Sequence, residues 1–441
     1  MGDWRVASMA VPGAAAPVDA DAPDLAATPD QRAARITSLD FIRGIAVIGI
    51  LWANIVGYSR PGIAYRWASS FYDPDWGDSA VWLFQYVFID GKLRGLFALL
   101  FGAGLVLFMD RARAKGAHAR WLQWRRLFWL AVFGLAHYFL LFHGDILFHY
   151  AVLAMVAMWA VGWKPKILIA LGALVYCVDS VFASMDLGSW VMFEKEVLAA
   201  APGSEVRTEY LAEASAMREE GRAERTLMLE GSFADIVAHR VTQQGLEPFT
   251  ALRFMAFDSL PLMLIGAALY RLGLFSGGME RRKMIRWGSA GIALSALLSL
   301  ILGSWVIWRG FPVAANFFAF YGPSHAIRLP MILGYAAVLA AVAPSLAPTA
   351  IGERISAAGR MAFSNYIGTS LVMAVIFQGW GLGLFDRFDR VGLLGFVAFG
   401  AALMLLWSKP WLARFRYGPL EWLWRCLTYW KVFPFRRAAP A

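Results

Sequence analysis

The stretch RITSLDFIRGIAVIGILWANIVGY, Arg35 to Tyr58, decides the fold. About 20 helical residues, rising ~1.5 Å each, cross the ~30 Å hydrocarbon core of a bilayer, so an apolar run of this length reads as a transmembrane helix. Its few polar residues are then the informative ones. Asp40 and Arg43 stand at i and i+3 in the leading turns, and Asn54 follows Arg43 by eleven positions, close to three whole turns at ~100° per residue. All three share one face, a charge pair at the membrane edge with an amide ~16 Å deeper. Such a face is too costly to turn toward lipid and is expected to look into a helical bundle.

Composition agrees with that first run. Of 441 residues, 59% are hydrophobic and 16% charged, whereas soluble domains carry about a quarter charged residues. The chain is therefore read as an integral membrane protein. A net charge of +10 would suit nucleic acid in a soluble protein. Here the basic residues fall in short connectors between apolar runs, where the positive-inside rule accounts for them, and no nucleic-acid role follows. Cys177, inside an apolar run, and Cys426, near the C-terminus, show no CxxC spacing and give neither a disulfide framework nor a metal ribbon.

Residues 1–34, rich in Ala, Pro and Asp and without periodicity, read as a disordered cytoplasmic tail. No unbroken apolar segment precedes Arg32, so the first membrane helix is expected to be its own targeting signal. Further apolar runs follow at about 80–109 (interrupted by Asp90, Lys92 and Arg94), 122–142, 145–163, 166–187, 251–274, 285–308, 323–345, 361–382 and 391–408. The expected fold is an all-α polytopic transmembrane bundle of about ten spans. Every second connector is basic: Arg111 to Arg126, Lys164 and Lys166, Arg281 to Arg286, Arg354 and Arg360. These connectors and both termini are expected on the cytoplasmic side of a bacterial inner membrane. Five spans over 35–187 and five over 251–409 then flank an extracytoplasmic helical insertion at 188–250, whose acidic helix-like segment SEVRTEYLAEASAMREEGRAERTLMLE suits a solvated cap or a lid. The tail 410–441 mixes Trp, Leu and Phe with Arg and Lys after Pro419, as an interfacial amphipathic helix does.

Several constellations could carry chemistry. Asp40 and Arg43 suit either helix anchoring or an anion site open to the cytoplasm. In RRLFWLAVFGLAHYFLLFHGDILFHY, Arg126 and His137 are eleven apart on one face, Asp145 and His149 are at i and i+4 on the next helix, and His143 lies in the turn between. An imidazole beside a carboxylate is what a general base or proton relay requires; an Asp in such a turn also caps helices. No His or Glu spacing suggests a metal site. His325 and Arg328 read as a surface pair at an outer edge, and Arg360 with Asn365 and Tyr366 as interhelical glue.

The segments AAGRMAFSNYIGTSLV, FQGWGLGLFDR and FRYGPLEWLWRCLTYWK, with SLDFIRGIAVIGILWANI, DGKLRGLFALLFGAG and HGDILFHYAVL before them, resemble the bacterial membrane family called domain of unknown function 418 over nearly everything after Arg35. More remotely, the first span resembles those of two transmembrane acyltransferase families, acyltransferase 3 and heparan-glucosaminide acetyltransferase, which share its Leu-Asp and Arg-Gly. The former places a catalytic His where this chain has Asn54. The latter has Asn there and its His in the next outer loop, but residues 59–79 hold none. The resemblance implies acyl transfer from a cytoplasmic donor such as acyl-coenzyme A to a small-molecule or glycan acceptor at the outer face. Asp40, Arg43 and Arg126 would bind the donor, Asn54 would stabilise the oxyanion, and His143 or His137 with Asp145 would act as base. The alternative is a transporter whose buried charges line a solute or proton path.

Overall fold

A computed structural model describes residues 29–437, with side chains from residue 38 onward. The expected disordered segment lies outside the described residues up to 28; from Pro29 the chain is helical. In chain order the helices are α1 (Pro29–Ser59), α2 (Gly62–Arg66), α3 (Trp76–Phe88), α4 (Lys92–Ala114), α5 (Ala119–Leu140), α6 (Leu147–Ala160), α7 (Pro165–Ala199), α8 (Glu205–Glu230) and α9 (Phe233–Thr242). They continue with α10 (Glu247–Arg271), α11 (Arg281–Trp308), α12 (Val313–Tyr321), α13 (Ser324–Leu346), α14 (Ala350–Arg360), α15 (Ala362–Phe377), α16 (Arg390–Arg414) and α17 (Pro419–Tyr429). The only β element among the described residues is an isolated bridge between Phe415 and Arg436.

The all-α polytopic architecture holds. Seven helical segments are long and apolar enough to cross a membrane, eight when α14 and α15, which meet at 85°, count as one broken span. The remaining members of the expected ten are α5, diluted by Arg125, Arg126 and His137, and the 14-residue α6. The second expected span is two helices, because the chain breaks at Ile89–Gly91, where Gly91 adopts φ 72° and only a residue without Cβ does so freely.

Burial separates centre from rim. The apolar window of α1 is 67% buried, and α1 packs against α4, α13, α14, α15 and α16; those of α7 and α11 are 22% buried and present Leu174, Phe182, Leu297 and Ile301 outward. A helix apolar all round belongs in the core, and one with an outward apolar stripe suits lipid. The expected insertion is helical: α7 extends to Ala199, and α8 and α9 follow it at the end of the bundle where α1 finishes. This is the α8 end. At the opposite, α17 end, α1 begins and α17 docks against α5 and α15.

Candidate functional site

Asp40 and Arg43 form the ion pair their spacing predicts, Oδ1 to Nη1 at 2.9 Å. Backbone contact between α1 and α14 places them. A Cβ on Gly359 would fall 1.8 Å from the Asp40 carbonyl oxygen, and one on Gly44 2.0 Å from that of Ile355, so any larger residue would push the helices apart. The Ile-Arg-Gly and Ala-Gly-Arg segments are the two sides of one crossing, which brings Arg360 within electrostatic reach of Asp40.

Beside this crossing lies a cavity of about 270 Å³ bounded by the end of α4, the first half of α5, the end of α14 and α17. Its wall is cationic and aromatic, with Arg126, Arg360 and Arg425 among Phe108, Trp424 and Tyr429. The Arg126 guanidinium sits between two rings, 4.7 Å from that of Phe108 and 4.4 Å from that of Trp424, and the Trp424 indole N–H donates to the Arg126 carbonyl at 2.8 Å. Glu421 fixes α17 there. Its Oε1 accepts the backbone N–H groups of Phe363 (2.8 Å) and Ser364 (3.0 Å) at the start of α15, and its Oε2 accepts the Ser364 hydroxyl. Of the three residues proposed from sequence for an anion, Arg126 is in the wall, while Arg43 stays with Asp40 outside it.

At the α8 end, His137 and Asp145 meet with both side chains buried, Nδ1 to Oδ1 at 2.7 Å. The second Asp145 oxygen accepts the Phe148 N–H at 2.8 Å in the first turn of α6. The capping and catalytic readings of Asp145 therefore describe one carboxylate with two oxygens. His137 Nε2 is buried without a partner. Around it stand Tyr366, whose ring is 5.0 Å from the imidazole, and Phe142 at 6.3 Å. Asn54 Nδ2 is also buried and unpartnered; one turn on, Tyr58 packs on Phe142 at 4.1 Å and bonds the Ser370 hydroxyl at 2.7 Å. His149 is a tie, with its ring nitrogens 3.0 Å from the carbonyls of Asp145 and Pro248.

His143 belongs to a different setting. In the turn between α5 and α6 it faces Glu224 of α8 and Arg240 of α9 across a narrow cavity of about 10 Å³, room for one water. Burial, with Arg240 and Arg66 nearby, lowers its pKa to about 3, so the ring is neutral. Glu224 Oε2 accepts the Gly62 N–H at 2.8 Å, and burial raises its pKa. Of the two histidines proposed as base, His137 is the one that holds Asp145.

The expected surface pair His325 and Arg328 is buried, at 9% and 5% exposure. Arg328 binds Asp258 and donates to the Tyr176 hydroxyl at 2.8 Å; Arg94 reaches Asp258 at 3.2 Å, and His325 Nδ1 lies 3.1 Å from Asp179 Oδ2. Four helices, α4, α7, α10 and α13, converge on this cluster. The sequence reading passed over Asp258, although it is the one acid in the run 251–274 and an intramembrane acid needs a partner. Asn365 does glue helices: it donates to Ala358 O (3.0 Å) and Ser408 (3.1 Å) and accepts from Trp407 (2.7 Å). Among the described residues no three His, Cys, Asp or Glu side chains gather as a metal site.

These features define a polytopic helical membrane protein with a basic cavity at one end and a His–Asp dyad toward the other. Residues 269–431 match the family described as protein of unknown function DUF418. The chain is 31% identical over 417 residues to the uncharacterised protein YeiB of Escherichia coli (strain K12), covering 92% of this chain and 98% of YeiB. It is 29% identical over 422 residues to the uncharacterised protein YxaH of Bacillus subtilis (strain 168), covering 90% of this chain and 94% of YxaH. The chain belongs to the DUF418 family. No solved structure matches it.

Proposed function

We propose that the chain is a membrane-embedded acyltransferase, taking an acyl-coenzyme A from the cytoplasm and passing the acyl group to a small-molecule or glycan acceptor at the outer face. One observation carries the reading: α5 bears both Arg126, in the wall of the basic cavity, and His137, paired with a buried carboxylate and free at Nε2. The eleven positions from one to the other correspond to ~16 Å of helix, a span the extended pantetheine arm can bridge. Arg126 and Arg360 would hold donor phosphates, and the aromatic wall would hold the base.

The acceptor heteroatom attacks the thioester carbonyl carbon while His137 Nε2 takes its proton. Asp145 keeps Nδ1 protonated and stabilises the imidazolium. The C–S bond then breaks, and the imidazolium returns the proton to the leaving thiolate. Asn54 Nδ2 would donate to the oxyanion. The Leu-Asp and Arg-Gly of the first span support the same class.

Calorimetric titration of acetyl-coenzyme A into the protein in nanodiscs tests the donor site. Saturable binding, weakened about 10- to 100-fold in Arg126→Ala, is expected from loss of a charge-assisted contact. Absence of binding to wild type would sink the reading. A second reading, transport, rests on the buried Asp258, Arg94 and Arg328 cluster, since such groups also line solute and proton paths. Counterflow in proteoliposomes would favour it; donor binding without flux would remove it.

A further inference from the structure

The narrow cavity under α8 is lined by a guanidinium, Arg240, and a carboxyl group, Glu224, that do not pair with each other. Arg240 is 2% exposed, its Nε has no partner, and its one hydrogen bond, to the Phe139 carbonyl, is long at 3.4 Å. Among the described residues neither Arg240 nor Glu224 forms an ion pair within 4 Å. Burying a guanidinium with an open donor is costly unless something fills it.

The acceptors opposite converge on one point. A Cβ built on Gly62, at the start of α2, would lie 3.6 Å from His143 Nε2 and 3.7 Å from Glu224 Oε2, so the space beside Gly62 faces a ring nitrogen and a carboxylate oxygen at once. A cationic donor fits between a neutral imidazole and a carboxylate, and an anionic acceptor fits the guanidinium. A simple anion would meet Glu224 unpaired. A simple cation would meet Arg240 unpaired. A small molecule carrying both charges answers both.

We infer that the cavity bounded by His143, Glu224 and Arg240 is a binding site for a small zwitterion of the amino-acid type, its ammonium between His143 and Glu224 and its carboxylate on Arg240. Neither Arg126 nor His137 takes part, so the site stands apart from the transferase reading. With room for one water, the cavity is too small for an amino acid as it stands, and α8 must shift to admit a ligand. Several ties on α8 would have to give: Glu224 on the Gly62 N–H, Arg218 Nε on the Ser70 carbonyl at 2.9 Å, the Arg225 to Asp386 ion pair at 2.8 Å, the Gly379 N–H on the Met228 carbonyl at 2.7 Å, and Tyr210, which donates to Glu194 and packs with Ala214 against Trp67.

Saturation-transfer NMR on the full chain in nanodiscs tests it, with glycine and L-alanine as probes and acetate, ethylammonium and glucose as single-feature controls. Expected is transfer to glycine or L-alanine alone, abolished in Gly62→Ala, whose added methyl makes only ordinary contacts and leaves the melting temperature unchanged. Arg240→Gln should also abolish it. No transfer to either amino acid overturns the inference. So does equal transfer in a folded Gly62→Ala, or transfer to acetate, ethylammonium or glucose matching that to the amino acids. Because no acyl donor is present, this result and the coenzyme A titration can fail independently.

Discussion

The two ends of the bundle handle charge in opposite ways. At the α17 end, Arg126, Arg360 and Arg425 share the wall of an open cavity whose carboxylate, Glu421, is already engaged by the backbone of α15. At the α8 end, basic groups and acids alternate, His137 with Asp145 and Arg240 across from Glu224, and the space between them shrinks to a single water. Excess cation beside open volume suits a multiply anionic ligand arriving from solvent. Balanced charge in a narrow volume suits chemistry or a ligand of no net charge, because low-dielectric surroundings penalise any group left unmatched.

The largest expected effect lies between the two ends, in the cluster that joins four helices. Asp258→Ala leaves Arg94 and Arg328 buried without their shared acid and should cost about 3–5 kcal/mol, read as a collapse of thermal stability in detergent. A variant as stable as wild type would show that the cluster does not hold the ends together. On the transferase reading, His137→Gln should lower turnover about 10²- to 10⁴-fold while leaving coenzyme A binding intact. Loss of donor binding instead would merge the two ends into one site and break the comparison.

Glu421→Ala strips the partners from the Phe363 and Ser364 N–H groups and should cost about 1–3 kcal/mol. The expected readout is faster proteolysis of the tail after Arg414 and weaker donor binding, with the α8 end unaffected. The His143 imidazole titrates near 6.5 in the unfolded chain and about 3 in the folded protein. Below pH 6.5 the unfolded state therefore takes up the proton first, so this group's contribution to stability is present above pH 6.5 and is lost as pH falls toward 3. Melting curves should show that acid sensitivity in wild type and less of it in His143→Gln; identical pH profiles would mean His143 is not enclosed. The smallest effect is expected from Arg225→Ala, about 0.2–1 kcal/mol for a surface pair, seen as faster hydrogen exchange confined to α8.

Much of this was legible in the residues. Length and hydropathy set an all-α membrane bundle, and helical phase put Asp40 with Arg43. The spacing in the α5–α6 hairpin named His137, His143 and Asp145 as a group, but left open which imidazole the carboxylate would take. The two histidines are six residues apart, His137 on the last turns of α5 and His143 beyond its end, and only the path of the turn decides which one swings toward Asp145. Periodicity also could not say that His325 and Arg328 are buried, since that depends on α4, α7 and α10 closing over them.

The sequence by itself determined the class, most of the apolar helices and which polar residues share a helix face, because rise and rotation per residue are fixed by the backbone. Tertiary structure alone decided what each face meets: Arg126 against Trp424 of the tail, Asp258 against Arg94 and Arg328, Glu224 and Arg240 of the insertion against His143. Those contacts join residues tens to hundreds of positions apart. A local repeat fixes a side chain's direction but says nothing of which helix will stand opposite it.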